Sequence, residues 1–112
     1  MITAVCFMLT AAAPVARRPE PPPEAAEQVL LRLLFQPARD AIAEYYGESR
    51  QYWEDRIVSI QKVPDTPYYE VVMQAETFCG PHNPPYGLET ITLYVSYGSL
   101  ELKSFAHRDE PE

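Results

Sequence analysis

Basic residues, glycine and cysteine are all scarce in this chain, and each scarcity closes off a class of protein. Nine Lys and Arg stand against sixteen Asp and Glu, a net charge of −7. The basic residues are scattered, so no face can track a phosphate backbone, and nucleic acid is not an expected partner. Four glycines against twelve prolines point to stiffened connections. There is no Gly-rich phosphate loop, no HExxH pair of histidines and no serine elbow. The two cysteines make no disulfide framework: Cys6 lies in an apolar leader, and Cys79 is left alone once that leader is removed. Cys79 therefore reads as a small hydrophobe without chemistry. No uncharged apolar run reaches the roughly 20 residues that a membrane-spanning helix requires.

What is present begins with residues 1–16, which carry no charged side chain and contain the small residues Thr10, Ala11, Ala12 and Ala13. This pattern is expected of a cleaved signal peptide, placing the remainder outside the cytoplasm, secreted or in the cell envelope. A frayed cytoplasmic N-terminus is the alternative. Residues 17–23 are proline-rich and offer nothing to a core, so they read as an extended spacer. One domain is expected over residues 24–108, with an acidic tail at 109–112.

The helical period runs over residues 24–46, with Ala26, Leu30, Leu33, Leu34, Ala38, Ala41, Ile42 and Tyr45 on one stripe. Pro37 has no amide proton to give the preceding turn. The helix is predicted to break near Phe35 and Gln36 and to restart with Pro37 in its first turn. Gly47 is placed to cap it. Beyond Gly47 the period becomes two, which predicts strands over residues 52–62, 68–78, 88–96 and 100–107, followed by a loose tail from Arg108. The fold class is α+β: a broken N-terminal helix packed on a four-stranded antiparallel meander, cystatin-like or similar.

Between the second and third strands lies a nine-residue stretch, 79–87, with three prolines and two glycines. Its prolines fix their own φ, and one of its X–Pro bonds is a candidate for the cis form. Such restraint pre-orders His82, Asn83, Pro84, Pro85 and Tyr86 for contact with a partner. The plain alternative is a loop that only closes one end of the sheet. Glu89 and His107 complete the candidate set, because the meander brings the start of strand three and the end of strand four to the same end of the sheet.

The run Glu76-Thr77-Phe78-Cys79-Gly80-Pro81-His82-Asn83-Pro84-Pro85-Tyr86-Gly87-Leu88-Glu89-Thr90-Ile91-Thr92, with Tyr45-Tyr46-Gly47 and Phe105-Ala106-His107, resembles an uncharacterised family of small exported proteins from Bacillus-like, spore-forming bacteria (Firmicutes). The resemblance covers residues 30–107. It implies export and a bacterial source, and brings no established activity, cofactor or catalytic residue with it.

Three functional readings follow. The first is a non-enzymatic binding module that engages an unidentified protein or cell-envelope ligand through the loop from His82 to Tyr86, without a cofactor or metal. The second is a small metal-dependent or acid–base hydrolase, which requires His82, Glu89 and His107 to converge. The third, a cystatin-like protease inhibitor, rests on element order alone, because Val63-Pro64-Asp65-Thr66-Pro67 stands where the inhibitory Gln-x-Val-x-Gly wedge would be.

Overall fold

A computed structural model describes residues 23–112. The leader and all of the spacer before Pro23 lie outside the described residues. The chain forms α1 (Pro23–Leu33), α2 (Phe35–Tyr46), β1 (Gln51–Lys62), β2 (Tyr69–Cys79), β3 (Asn83–Ser96) and β4 (Ser99–Glu110). The four strands pair in sequence order, all antiparallel, as a meander with two open edges.

The helical segment breaks at Leu34, whose φ of −89° and ψ of 2° leave the α-helical range. Pro37 sits in the first turn of α2, where its missing amide proton costs no hydrogen bond. Gly47 closes α2 in the left-handed conformation at φ 76°, its amide donating to Ala43 O, a geometry that glycine reaches without a Cβ clash.

The core is Leu31, Leu34, Ala38, Ala41 and Ile42 of the helices against Val71, Met73, Ile91 and Leu93 of the sheet. The predicted stripe therefore needs correction. Leu31 is buried, whereas Leu33 is 71% exposed, Ala26 is exposed, and Tyr45 lies half-exposed against β4. Two apolar rows run side by side along α1, and the break at Leu34 changes the phase between the helices. The sheet covers only the row containing Leu31 and Leu34. The other row, Ala25, Ala26, Val29 and Leu33, is left on the outside.

Two further expectations are corrected at the strand ends. The long loop shortens to residues 80–82, because β3 starts at Asn83 and takes in Pro84, Pro85, Tyr86 and Gly87. The chain does not loosen at Arg108, since β4 continues to Glu110 and pairs Leu88 with Arg108, Gly87 with Asp109 and Tyr86 with Glu110. The end of β4 pairs with Tyr86, Gly87 and Leu88 of β3, while the first residue of β3, Asn83, pairs with Cys79 of β2, so each extension finds partners for backbone groups it cannot satisfy alone.

The helices lie on one face of the sheet. The opposite face carries polar and aromatic side chains, with Arg56 Nη2 donating to Gln74 Oε1 at 2.6 Å and Gln74 Nε2 donating to Thr90 Oγ1 at 3.0 Å. The face assignment is testable by urea denaturation. Ile42→Ala, at a fully buried position, is expected to cost about 2–5 kcal/mol, while Leu33→Ala stays within about 0.5 kcal/mol of the parent.

Candidate functional site

Strand parity decides which candidate residues meet. Val71, Met73, Ala75 and Thr77 of β2 face the helices, as do Gly87, Glu89, Ile91 and Leu93 of β3. Glu89 is thus a carboxylate on the apolar face, with 0% of its surface exposed. Register puts His107 of β4 directly opposite it.

Burial of a charge is tolerable only where hydrogen bonds replace its water, and Glu89 has them. Its Oε2 accepts from the Tyr46 hydroxyl at the end of α2 and from Thr77 Oγ1 at 2.8 Å, while its Oε1 lies 2.9 Å from His107 Nδ1. The other ring nitrogen, Nε2, lies 2.8 Å from Asp109 Oδ1. Both nitrogens face carboxylates, and the ring satisfies both only as the imidazolium. Tyr45 stacks on Phe105 at 4.8 Å and on His107 at 5.3 Å, and the Arg50 guanidinium lies 4.1 Å over the Tyr46 ring. The network therefore ties the C-terminal turn of α2 to three strands.

Gly87 is required here by space. A Cβ at this position would lie 2.5 Å from Glu89 Oε2 and 2.8 Å from both His107 Cε1 and Tyr46 Oη. Burial, reinforced by the hydrogen bond to Glu89, pushes the Tyr46 hydroxyl up to about 12. For His107 burial works against the charge, yet the hydrogen bonds to Asp109 and Glu89 and their negative charge outweigh it, raising the imidazole above its ordinary 6.5.

His82 lies elsewhere. Trp53 pairs with Glu76, one residue out of phase with Thr77, so it points from the face opposite the helices, where its Nε1 donates to Glu76 Oε1 at 2.5 Å. His82 stacks on Trp53 at 4.2 Å and meets Phe78 edge-on at 4.3 Å. It has a positive φ of 64°, its amide donates to Gly80 O at 3.0 Å, and its carbonyl accepts from Tyr86 Oη at 2.8 Å. The Pro84–Pro85 bond is cis. Asn83, Pro84 and Pro85 are exposed beside this cluster.

The candidates therefore divide between the two faces of the sheet. Glu89 and His107 are joined on the helix face, and His82 to Tyr86 form an aromatic tip with Trp53 and Phe78 on the other. Among the described residues, no group of three or more His, Cys, Asp or Glu side chains is placed to hold a metal, and no helix is long and apolar enough to cross a membrane. Sequence reasoning missed Tyr46, Thr77, Gly87, Asp109, Trp53 and Phe78. Thr77 and Gly87 were accessible by extending the parity of Ala75 and Glu89 by two residues. Trp53 and Asp109 carried no local signal of their partners.

These features define a class first: a small α+β domain whose helix layer is clasped to an open meander through a buried carboxylate, with an aromatic tip on the bare face. Within that class, the chain belongs to the family described as Protein of unknown function (DUF3888), which matches residues 26–109. No curated protein and no solved structure matches significantly.

Two outcomes test the network. Gly87→Ala is expected to lower stability by about 1–3 kcal/mol in urea, through overpacking against Glu89 and Tyr46. Because the folded His107 holds its proton more tightly than the unfolded one, its contribution is complete below the unfolded value of 6.5 and is lost as pH rises through the higher folded value. Melting temperature followed by circular dichroism should fall as pH is raised from about 6 to 9, and His107→Gln should flatten that fall. An unchanged slope in the variant would remove His107 from this role.

Proposed function

We propose that this protein is a non-enzymatic binding module, exported from a Bacillus-like bacterium, that engages a protein or cell-envelope ligand through the tip formed by Trp53 and His82 to Tyr86, seated on the buried Phe78. The carrying observation is the Trp53–His82 stack at 4.2 Å on the face the helices leave bare. Trp53 remains 37% exposed in that arrangement. A pre-ordered aromatic surface adds contact area with little ordering cost, the property that concentrates binding energy in tryptophan and tyrosine. Tyr86 braces the turn through the His82 carbonyl, and exposed Asn83, Pro84 and Pro85 extend the surface along β3.

The rival acid–base reading draws support from the Glu89–His107 contact at 2.9 Å. It lacks its third member, since His82 stacks on the other face. Glu89 and His107 also spend their oxygens and ring nitrogens on each other and on Tyr46, Thr77 and Asp109. The cystatin-like comparison rests on element order alone and carries no inhibitory wedge. The reading of export rests on residues 1–16, and intact-mass analysis of protein recovered from culture medium should show a chain that has lost this leader.

The binding reading is tested by sedimenting the purified protein with isolated cell envelopes of the source organism. Wild type should co-sediment saturably, and the Trp53→Ala and His82→Ala double variant should bind about tenfold or more weakly while keeping its circular dichroism spectrum. Equal binding by the folded double variant would reject the tip as the contact surface.

A further inference from the structure

A second surface stands apart from both the clasp and the tip. Between α1 and the edge strand β1 lies a cleft of about 340 Å³, lined by Gln28, Leu31, Arg32, Phe35, Tyr52 and Asp55. That volume falls within the range of small-molecule sites, about 300–1,000 Å³. Its floor is apolar: Leu31 belongs to the core, and the Phe35 and Tyr52 rings lie 5.7 Å apart at 44°.

The polar groups around that floor are unspent. The Tyr52 hydroxyl is shielded from solvent and has no hydrogen-bond partner among the described residues. Native proteins seldom leave such a group alone, because the lost water is not replaced. Burial first, and then the charge of Asp55, pushes this hydroxyl up to about 12, against the smaller opposing pull of Arg39. It therefore stays neutral and can both donate and accept. The ion pairs among the described residues are Arg50–Glu48, His107–Glu89, His107–Asp109 and Arg108–Glu110, so Arg32 and Asp55 pair neither with each other nor with another described residue. Neighbouring Glu27 is already engaged, accepting from the Ile57 amide at 2.8 Å, and Arg39 lies over the Phe35 ring at 5.7 Å. One cleft is thus lined by a cation and an anion that have no ion-pair partner among the described residues, and by a tyrosine whose shielded hydroxyl is an orphan.

We propose that this cleft binds a small zwitterion with an apolar body, the chemistry of a free amino acid bearing a branched or aromatic side chain. Arg32 receives the carboxylate, for which a guanidinium offers paired donors. Asp55 faces the ammonium group, the side chain rests on Leu31 and Phe35, and the Tyr52 hydroxyl bonds to one of the charged ends. The charge arrangement selects this class. A purely anionic ligand would set a negative charge near Asp55, a purely cationic one would set a positive charge near Arg32, and a neutral apolar one would leave the Tyr52 hydroxyl without a partner.

The test is calorimetric titration of the purified full-length chain with L-leucine and L-phenylalanine, alongside N-acetyl-L-phenylalanine and L-phenylalanine amide, each of which lacks one charge. Saturable binding at submillimolar to millimolar concentration is expected, weakened about tenfold or more by blocking either end and by Arg32→Gln or Asp55→Asn. Tyr52→Phe, which keeps the ring, should weaken it about three- to tenfold. Trp53→Ala should leave it unchanged, which separates this site from the tip. Absence of saturable binding to the free amino acids, equal affinity for the blocked analogues, or unchanged affinity in folded Arg32→Gln and Asp55→Asn would each overturn the proposal. A water molecule alone satisfying Tyr52 in a crystal soaked with L-phenylalanine would do the same.

Discussion

A carboxylate withdrawn from water must recover its hydrogen bonds from the protein, and the way Glu89 does so sets the arrangement of every layer around it. Its oxygens take partners from the end of α2, from β2 and from β4. The helix layer otherwise meets the sheet through a modest core of alanine, leucine and isoleucine, which is permissive about position and angle. Hydrogen bonds are not permissive. Tyr46 must arrive at one point of the sheet, Gly87 must leave that point clear, and β4 must run past His107 to bring Asp109 to the outer ring nitrogen. The continuation of β4 beyond Arg108 and the capping of α2 at Gly47 are both consistent with that single demand.

The same strand alternation that gathers this network sends the neighbouring residues to the other face. Glu76 and Phe78, adjacent in sequence to Thr77, stand with Trp53 and His82 where no helix covers them. A two-residue period cannot build a polar clasp on one face without offering a second, independent set of side chains on the other. The clasp consumes its own hydrogen-bonding capacity, whereas the tip keeps aromatic surface in contact with solvent. This division supports the proposal that binding takes place at the tip while the buried carboxylate serves the integrity of the fold.

The cleft between α1 and β1 arises from a different constraint. β1 is an edge strand whose pairing with β2 is interrupted twice, between Trp53 and Arg56 and between Ile57 and Ser59. Bulges bend an edge strand and re-aim its side chains. Asp55 lies inside the first interruption and Tyr52 just before it, and both line the cleft, next to the point where the helical segment breaks at Leu34. Two local irregularities, one in each layer, thus lie beside the same opening.

Local residue chemistry was sufficient for much of the architecture. Pro37 dictated the helix break because proline lacks an amide proton, Gly47 dictated the cap because it has no Cβ, and the alternation of Val71, Met73 and Ala75 and of Ile91, Leu93 and Val95 dictated strands with one buried face. The buried place of Glu89 was legible too, since it shares the parity of Ile91. Other features depended on residues distant in sequence. Whether Leu31 or Leu33 faced inward depended on the phase change at Leu34, since both sit on apolar rows. The extension of β4 through Asp109 depended on Tyr86 and Gly87 of β3 to pair with, and the start of β3 at Asn83 depended on Cys79 of β2. His82 and His107 looked equally close to Glu89 from the order of strands. Only the tertiary structure decided between them, because the face on which a turn residue settles is set by the side chains it packs against, here Trp53 and Phe78, and not by the sequence of the turn itself.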